Sequence, residues 1–88
     1  MERRITIRGQ SGLLSDKAVL FVQKANEFES KIWIEYGKKK LNAKSLVGLV
    51  SLEIVEGSEV TLSADGPDAD AALDALEKLT SNNVFYLK

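Results

Sequence analysis

Neither cysteine nor histidine occurs among the 88 residues of this chain. The absence of cysteine excludes disulfide frameworks, thiolate nucleophiles and Cys-ligated zinc or iron–sulfur sites. The absence of histidine excludes imidazole acid–base catalysis, His-ligated metals and a phosphohistidine relay. The glycine-containing stretch at residues 9–12 also lacks the spacing and the lysine of a P-loop. We therefore predict that the protein is not an enzyme and uses no metal or other cofactor.

An excess of positive charge and long apolar runs are missing as well. Twelve Lys and Arg residues stand against thirteen Asp and Glu residues, which leaves a formal net charge of −1. Nucleic acid, whose binding depends on basic residues, is therefore not an expected partner. No apolar run is long enough to span a membrane, and residues 1–4 are not followed by the apolar core of a signal peptide. We expect one cytoplasmic domain covering residues 1–88.

Four segments show the alternation of apolar and polar residues that is typical of half-buried strands. They are residues 3–8, residues 31–36, the return strand at residues 38–42, and the segment containing Val60, Leu62 and Ala64. Trp33 falls on the sheet face opposite Ile32, so it is either half-exposed on an uncovered sheet, which we favour, or engaged in self-association. The three consecutive lysines at 38–40 are expected to form a solvated hairpin tip.

Three segments have the apolar spacing or the flanking residues of helices. The first begins at Ser15 or Asp16 and ends near Glu29, the second opens at Ser45 and runs through Leu52, and the third begins at Pro67 with Asp68 and Asp70 in its first turn. The resulting order is βαββαβα. With the helices on one face of the sheet, this is an α+β open-faced sandwich.

The order of elements and several stretches of sequence resemble the HPr family of the bacterial sugar phosphotransferase system, and in particular its Crh (catabolite repression HPr-like) branch. The stretches that carry the resemblance are Ser11–Leu13, Phe21–Ala25, Asn42–Leu52 and Gly57–Leu62. The Asn-Ala-Lys-Ser motif that ends at Ser45 is the most specific of them. The resemblance implies a four-stranded antiparallel sheet with three helices on one side, in a single HPr-like domain.

The start of the first helix departs from the family pattern. HPr proteins carry there a histidine that accepts phosphate from phosphoenolpyruvate through enzyme I. In this chain Leu14 stands at the position of the histidine, Asp16 at that of a family arginine and Lys17 at that of a proline. A hydrocarbon side chain cannot hold a phosphoryl group, and a carboxylate repels one. We predict that the chain is not a phosphocarrier.

Ser45 is the candidate regulatory residue. In the Crh branch, which also lacks the histidine, an ATP-dependent HPr kinase phosphorylates the serine that opens the second helix, and the product binds a catabolite repressor. The resemblance places Ser45 at that position. Unpaired N–H groups and the helix dipole favour an added phosphate there, and Lys44 supplies positive charge. A plainer interpretation is that Ser45 only caps the helix, because serine is a preferred N-cap residue.

A partner-binding face is predicted around the second helix. The resemblance places Leu46, Val47 and Val50 on the surface that HPr and Crh present to partners, whereas Leu49 and Leu52 are expected in the core. An exposed Leu14 beside them would enlarge this apolar patch, a feature typical of contact sites. Asp16 lies on the same face, where the family's arginine takes part in docking the serine-phosphorylated form.

These features support three readings of the function. The first is a regulator of carbon catabolite repression that is switched by phosphorylation at Ser45, with HPr kinase and a catabolite repressor or metabolic enzyme as partners. The second is a constitutive interaction module that binds its partner without modification. The third is an engineered variant that keeps the scaffold and no function.

The apolar tail at residues 84–87 either folds back on the core or joins a second copy, which leaves a homodimer open.

Overall fold

The computed structural model describes residues 1–8 and 16–80, without the side chain of Asp16. The expectations for Leu14, for the Asp16 side chain and for the tail at 84–87 lie outside the described residues. The elements, in chain order, are β1 (Glu2–Thr6), α1 (Asp16–Ala25), β2 (Lys31–Tyr36), β3 (Lys39–Asn42), α2 (Leu46–Ser51), β4 (Glu59–Asp65) and α3 (Ala69–Thr80). This is the βαββαβα order that the sequence predicts.

The four strands form one antiparallel sheet in the order β1-β4-β2-β3. The register aligns the apolar residues of neighbouring strands on one face, where Ile34 lies opposite Leu62 and Ile32 opposite Ala64. All four of these side chains are buried. Side chains in a strand alternate between faces, so Trp33 and its polar neighbours lie on the other face. The predicted open-faced α+β sandwich is confirmed.

The helices cover the apolar face of the sheet. Residues at three- and four-residue spacing on α1 and α3 are fully buried, and Leu49 anchors the short α2 in the same core. The largest fully buried side chains include Phe21 on α1 and Leu73 and Leu76 on α3. An 88-residue chain has room for only one such core, so its apolar side chains converge on this single layer.

Arg3 joins the first strand to the last helix. Its guanidinium contacts the carboxylate of Asp74, lies 3.1 Å from that of Glu77 and 3.7 Å from that of Asp70. The hydrogen bond to Asp74, with that to Glu77 and the charges of both carboxylates, raises the pKa of Arg3. These contacts are exposed to solvent, so we regard them as fixing the orientation of α3 over β1 rather than as a large stabilising term.

The start of α3 differs from the expectation. The helix begins at Ala69, so Pro67 lies in the preceding turn and not at the first helical position, whereas Asp70 is in the first turn as predicted. The carboxylate of Asp68, just before the helix, accepts hydrogen bonds from the N–H groups of Glu29 and Ser30, each at 2.9 Å, and from the Ser30 hydroxyl. Asp68 therefore ties the loop after α1 to the start of α3.

α1 ends at Ala25, short of the expected Glu29, because the N–H groups of Glu27 and Phe28 bond to carbonyls three residues earlier and so leave the α-helical pattern. The contact with Asp68 then holds the next two residues outside the helix. The backbone N–H groups of Glu29 and Ser30 bond to Asp68 rather than within a helix. Gly66 allows the close approach, because a Cβ at this position would lie 2.7 Å from the Cα of Ser30. The contact joins residues 38 positions apart in the chain, which no local pattern reveals.

The Asp68 contact predicts an acid-dependent loss of stability. The hydrogen bond from the Ser30 hydroxyl, followed by that from the Glu29 N–H, lowers the pKa of Asp68 below its ordinary 3.8, although burial acts in the opposite direction. A carboxyl group whose pKa is lower in the folded state than in the unfolded state makes its full contribution to stability at pH values above the unfolded-state pKa. This contribution is lost as the pH falls through the folded pKa.

Urea unfolding between about pH 7 and pH 2 should show this dependence. We expect Asp68→Asn to be less stable than the parent at pH 7, and the difference between the two proteins to shrink at pH values below 3.8. The exposed Asp65 provides the control, since Asp65→Asn should keep the parent's acid dependence. A difference between parent and Asp68→Asn that stays constant over the whole pH range would contradict the role of this carboxylate.

Candidate functional site

Ser45 caps α2, as the sequence predicts. Its backbone is extended, with φ −105° and ψ 115°, and its Oγ accepts a hydrogen bond from the Gly48 N–H at 3.2 Å. Its carbonyl accepts the first helical bond, from the Leu49 N–H at 3.0 Å. The side chain is half-buried, and the first turn of α2 contains no acidic residue. The Ser45 hydroxyl thus lies at the start of a helix where no neighbouring carboxylate of that turn opposes added negative charge.

The segment before Ser45 is held by contacts that the sequence does not suggest. The side-chain oxygen of Asn42 accepts from the Lys44 N–H at 2.8 Å. The Lys44 Nζ donates to the carbonyl of Phe28 at 2.6 Å, and the Asn26 side-chain amide donates to the carbonyl of Lys44 at 3.3 Å. Lys44 therefore fixes the loop after α1 with one of its three ammonium hydrogens, which leaves two for other acceptors.

An apolar surface is exposed next to Ser45. Val47 is 83% exposed, and Leu46 and Val50 are 39% exposed each, whereas Leu49 and Leu52 are buried, as predicted. The six-residue helix carries more apolar side chains than its core-facing side can bury. We refer to Leu46, Val47 and Val50 together as the α2 face. A contiguous group of exposed apolar side chains is typical of contact sites.

Ser45, Lys44 and the α2 face therefore lie together, as expected from the sequence. Leu14 and the side chain of Asp16, the other two predicted site residues, lie outside the described residues. Residues that sequence reasoning missed are Asn26 and Phe28, which hold the backbone and side chain of Lys44 from across the fold. Sequence separations of 18 and 16 residues give no local signal for these bonds.

Residues 1–8 and 16–80 show neither a metal-binding cluster nor a membrane-spanning helix. This part of the chain contains no group of three or more acidic side chains arranged to hold a metal ion. None of its helices is long and apolar enough to cross a membrane.

Loss of the Ser45 cap should be measurable. Ser45→Ala leaves the Gly48 N–H without its side-chain acceptor, and we expect the free energy of unfolding to fall by about 0.5–2 kcal/mol. Ser45→Asp keeps an oxygen acceptor at the cap, so its free energy of unfolding should fall by less than that of Ser45→Ala. Ser51→Ala is the control on the same helix, because the Ser51 Oγ only donates to the Gly48 carbonyl at the opposite end. Equal losses in all three variants, measured by urea unfolding, would contradict the capping role.

The family described as the PTS HPr component phosphorylation site matches residues 1–82. The protein thus belongs to the HPr family of the phosphotransferase system, and the fold described above agrees with this assignment. A crystal structure of HPr from Thermoanaerobacter tengcongensis superimposes with a TM-score of 0.90 at 44% sequence identity, covering 92% of this chain and 91% of that one.

Two of the similar proteins are HPr-like Crh proteins. Crh from Halalkalibacterium halodurans is 46% identical over 76 residues, which cover 86% of this chain and 90% of that protein. Crh from Bacillus subtilis is 42% identical over 84 residues, which cover 96% of this chain and 99% of that protein. A crystal structure of the Bacillus subtilis protein, described as a dimer with a swapped domain, superimposes with a TM-score of 0.69 at 46% identity, covering 84% of this chain and 85% of that one.

Proposed function

We propose that this protein is a cytoplasmic regulator of the phosphotransferase system and of carbon catabolite repression, that it carries no phosphoryl group to sugars, and that phosphorylation at Ser45 switches it. Its partners in this role are HPr kinase and either a catabolite repressor or a metabolic enzyme. It acts by binding and not as an enzyme. The position of Ser45, at the cap of α2 and beside the exposed α2 face, is the observation that carries the proposal.

The absence of histidine supports a role other than phosphocarrier. A phosphoryl carrier of this family needs a side chain that accepts phosphate as a phosphoramidate, and the sequence offers no imidazole for this purpose. Leu14, at the position of the family's histidine, supplies only a hydrocarbon side chain. Membership of the HPr family, together with this missing group, favours a protein that keeps the interactions of the fold and not the carrier reaction.

Phosphorylation at Ser45 would change the electrostatics of the site. The Ser45 Oγ now accepts one hydrogen bond, whereas a phosphate adds about −1.5 to −2 charges and three strong acceptor oxygens. The N–H groups at the start of α2 have no helical acceptors and can donate to these oxygens. Lys44 adds an ammonium group to the same segment, held there by its bond to the Phe28 carbonyl.

The new charge would stand at the border of the α2 face. Unmodified, this face offers a partner the apolar side chains of Leu46, Val47 and Val50. Phosphorylated, it combines them with a dianion that a basic side chain of a partner can bind. Charge-assisted pairing of this kind provides specificity, because a partner without a matching cation would bury the phosphate unpaired. The modification would thus select a different partner for the same apolar surface.

The first test is incubation with a Gram-positive HPr kinase and ATP, followed by intact-mass measurement. We expect one phosphoryl group to be added to the parent and to Ser51→Ala, and none to Ser45→Ala. Ser51 is the matched control because it is an exposed serine at the other end of α2. An unmodified parent, or a phosphoryl group that persists in Ser45→Ala, would remove Ser45 as the regulatory residue.

The second reading, a constitutive interaction module, has a specific observation in its favour. Val47 is already 83% exposed in the unmodified protein, so the α2 face can bind a partner as it stands. Binding to a Gram-positive catabolite repressor, measured by calorimetry before and after kinase treatment, separates the two functions. A phosphorylation-dependent regulator gains at least tenfold in affinity on modification, equivalent to about 1.4 kcal/mol. A constitutive module binds the repressor equally in both states.

A further inference from the structure

Charge is unevenly distributed over this nearly neutral protein. Residues 31–44, which contain β2 and β3, include five lysines and one glutamate, whereas residues 45–80 include eight acidic residues and one lysine. The strand order places β3 at one edge of the sheet, while α3 packs over β4 and over β1 at the other edge. The net charge of −1 therefore conceals a basic edge of the sheet at β3, whereas the acidic side chains of α3 are partly neutralised by Arg3 of β1.

The basic edge contains a cleft with an aromatic wall. The cleft has a volume of about 180 Å³ and is lined by Lys31, Ile32, Trp33, Asn42 and Lys44. Trp33 and Asn42 are directly opposed across β2 and β3. Lys40 places its ammonium 5.6 Å from the centroid of the Trp33 ring, within the range of a cation–π contact. Two lysines, an amide and an indole thus surround a space the size of one or two side chains.

Neither the core nor the Ser45 site explains this arrangement. Trp33 lies on the sheet face that α1, α2 and α3 leave uncovered, on the opposite side from the buried Ile32 and Ile34. The Lys31 side chain is exposed, and Lys44 retains two ammonium hydrogens beyond its bond to the Phe28 carbonyl. That bond holds the Lys44 side chain in place before any ligand arrives, which lowers the entropy lost on binding.

We propose that this cleft docks an acidic segment of a partner protein, with one carboxylate side chain seated between Lys31 and Lys44 against the Trp33 ring. The ammonium groups supply charge, the Asn42 amide supplies a donor, and the indole supplies an apolar wall for the stem of a glutamate. The site is independent of phosphorylation at Ser45, because it is formed by the open face and the β3 edge of the sheet.

An acidic polypeptide fits this surface better than a nucleic acid strand does. Asp65 is directly opposite Lys31 in the register, and Glu35 is directly opposite Lys40. These carboxylates confine the basic area to the cleft and the β3 edge. A phosphate backbone needs a continuous basic track over several nucleotides, whereas a carboxylate side chain needs only the cleft.

Trp33 is the only tryptophan of the chain, so its fluorescence reports on the cleft directly. The test is a titration of the full chain with an acetylated peptide of six glutamates. We expect a saturable change in Trp33 emission that weakens as salt is added. The double variant Lys31→Glu/Lys40→Glu should bind the peptide at least fivefold more weakly, because it removes two ammonium groups and adds two carboxylates that repel the peptide.

Lys78→Glu is the matched control, because it reverses an exposed charge on α3, away from the cleft. Its affinity for the peptide should stay within twofold of the parent, and circular dichroism should show all variants folded. The proposal is overturned by a titration without a saturable signal, or by equal weakening in the Lys78→Glu control. Tighter binding of a six-residue oligothymidylate than of the peptide would also overturn it. So would a change in Trp33 emission with protein concentration alone, because that change would show a second copy of the chain in the cleft.

Discussion

One constraint shapes the structure of residues 1–8 and 16–80, which is that their helices cover only one face of the sheet. Three helices and four strands must place their apolar side chains in a single layer between them, and 88 residues leave no second core. The register of the strands meets this constraint by aligning residues such as Ile34 and Leu62 on the covered face. The other face is left to polar side chains and one tryptophan. The cleft beside Trp33 arises from this asymmetry.

The α2 face arises because four of the six residues of α2 carry large apolar side chains, which is more than one side of a helix can turn towards the core. A helix of six residues can turn only part of its circumference towards the core, and Leu49 takes that position. The remaining apolar side chains, of which Val47 is the most exposed, have nothing to cover them within the described residues. The open sheet face differs from the α2 face in character, because its strands present polar side chains around Trp33. One surface is thus apolar and lies next to the Ser45 hydroxyl, while the other is charged.

Much of the fold could be predicted from local sequence patterns, whereas the contacts between residues far apart in the sequence could not. The alternation at residues 31–36 gives β2 its observed bounds, and the Asn-Ala-Lys-Ser motif places the cap of α2 at Ser45. The predicted start of α3 at Pro67 and the predicted end of α1 near Glu29 were wrong, and the bonds that tie these two segments together, from the N–H groups of Glu29 and Ser30 to Asp68, were missed because the residues lie far apart in sequence. The bond from Lys44 to the Phe28 carbonyl was missed for the same reason. The charged cleft was hidden by a net charge near zero.

Lys44 is the residue at which the two candidate surfaces meet. Its backbone precedes the Ser45 cap, and its side chain lines the cleft beside Trp33. The Asn42 side chain holds its N–H, and the Phe28 carbonyl holds its ammonium group, so neither end can shift without breaking a hydrogen bond. A phosphate at Ser45 would therefore leave the position of the Lys44 side chain in the cleft unchanged. The proposed switch at Ser45 and the proposed docking of an acidic segment at the cleft would then be separate properties of one small domain.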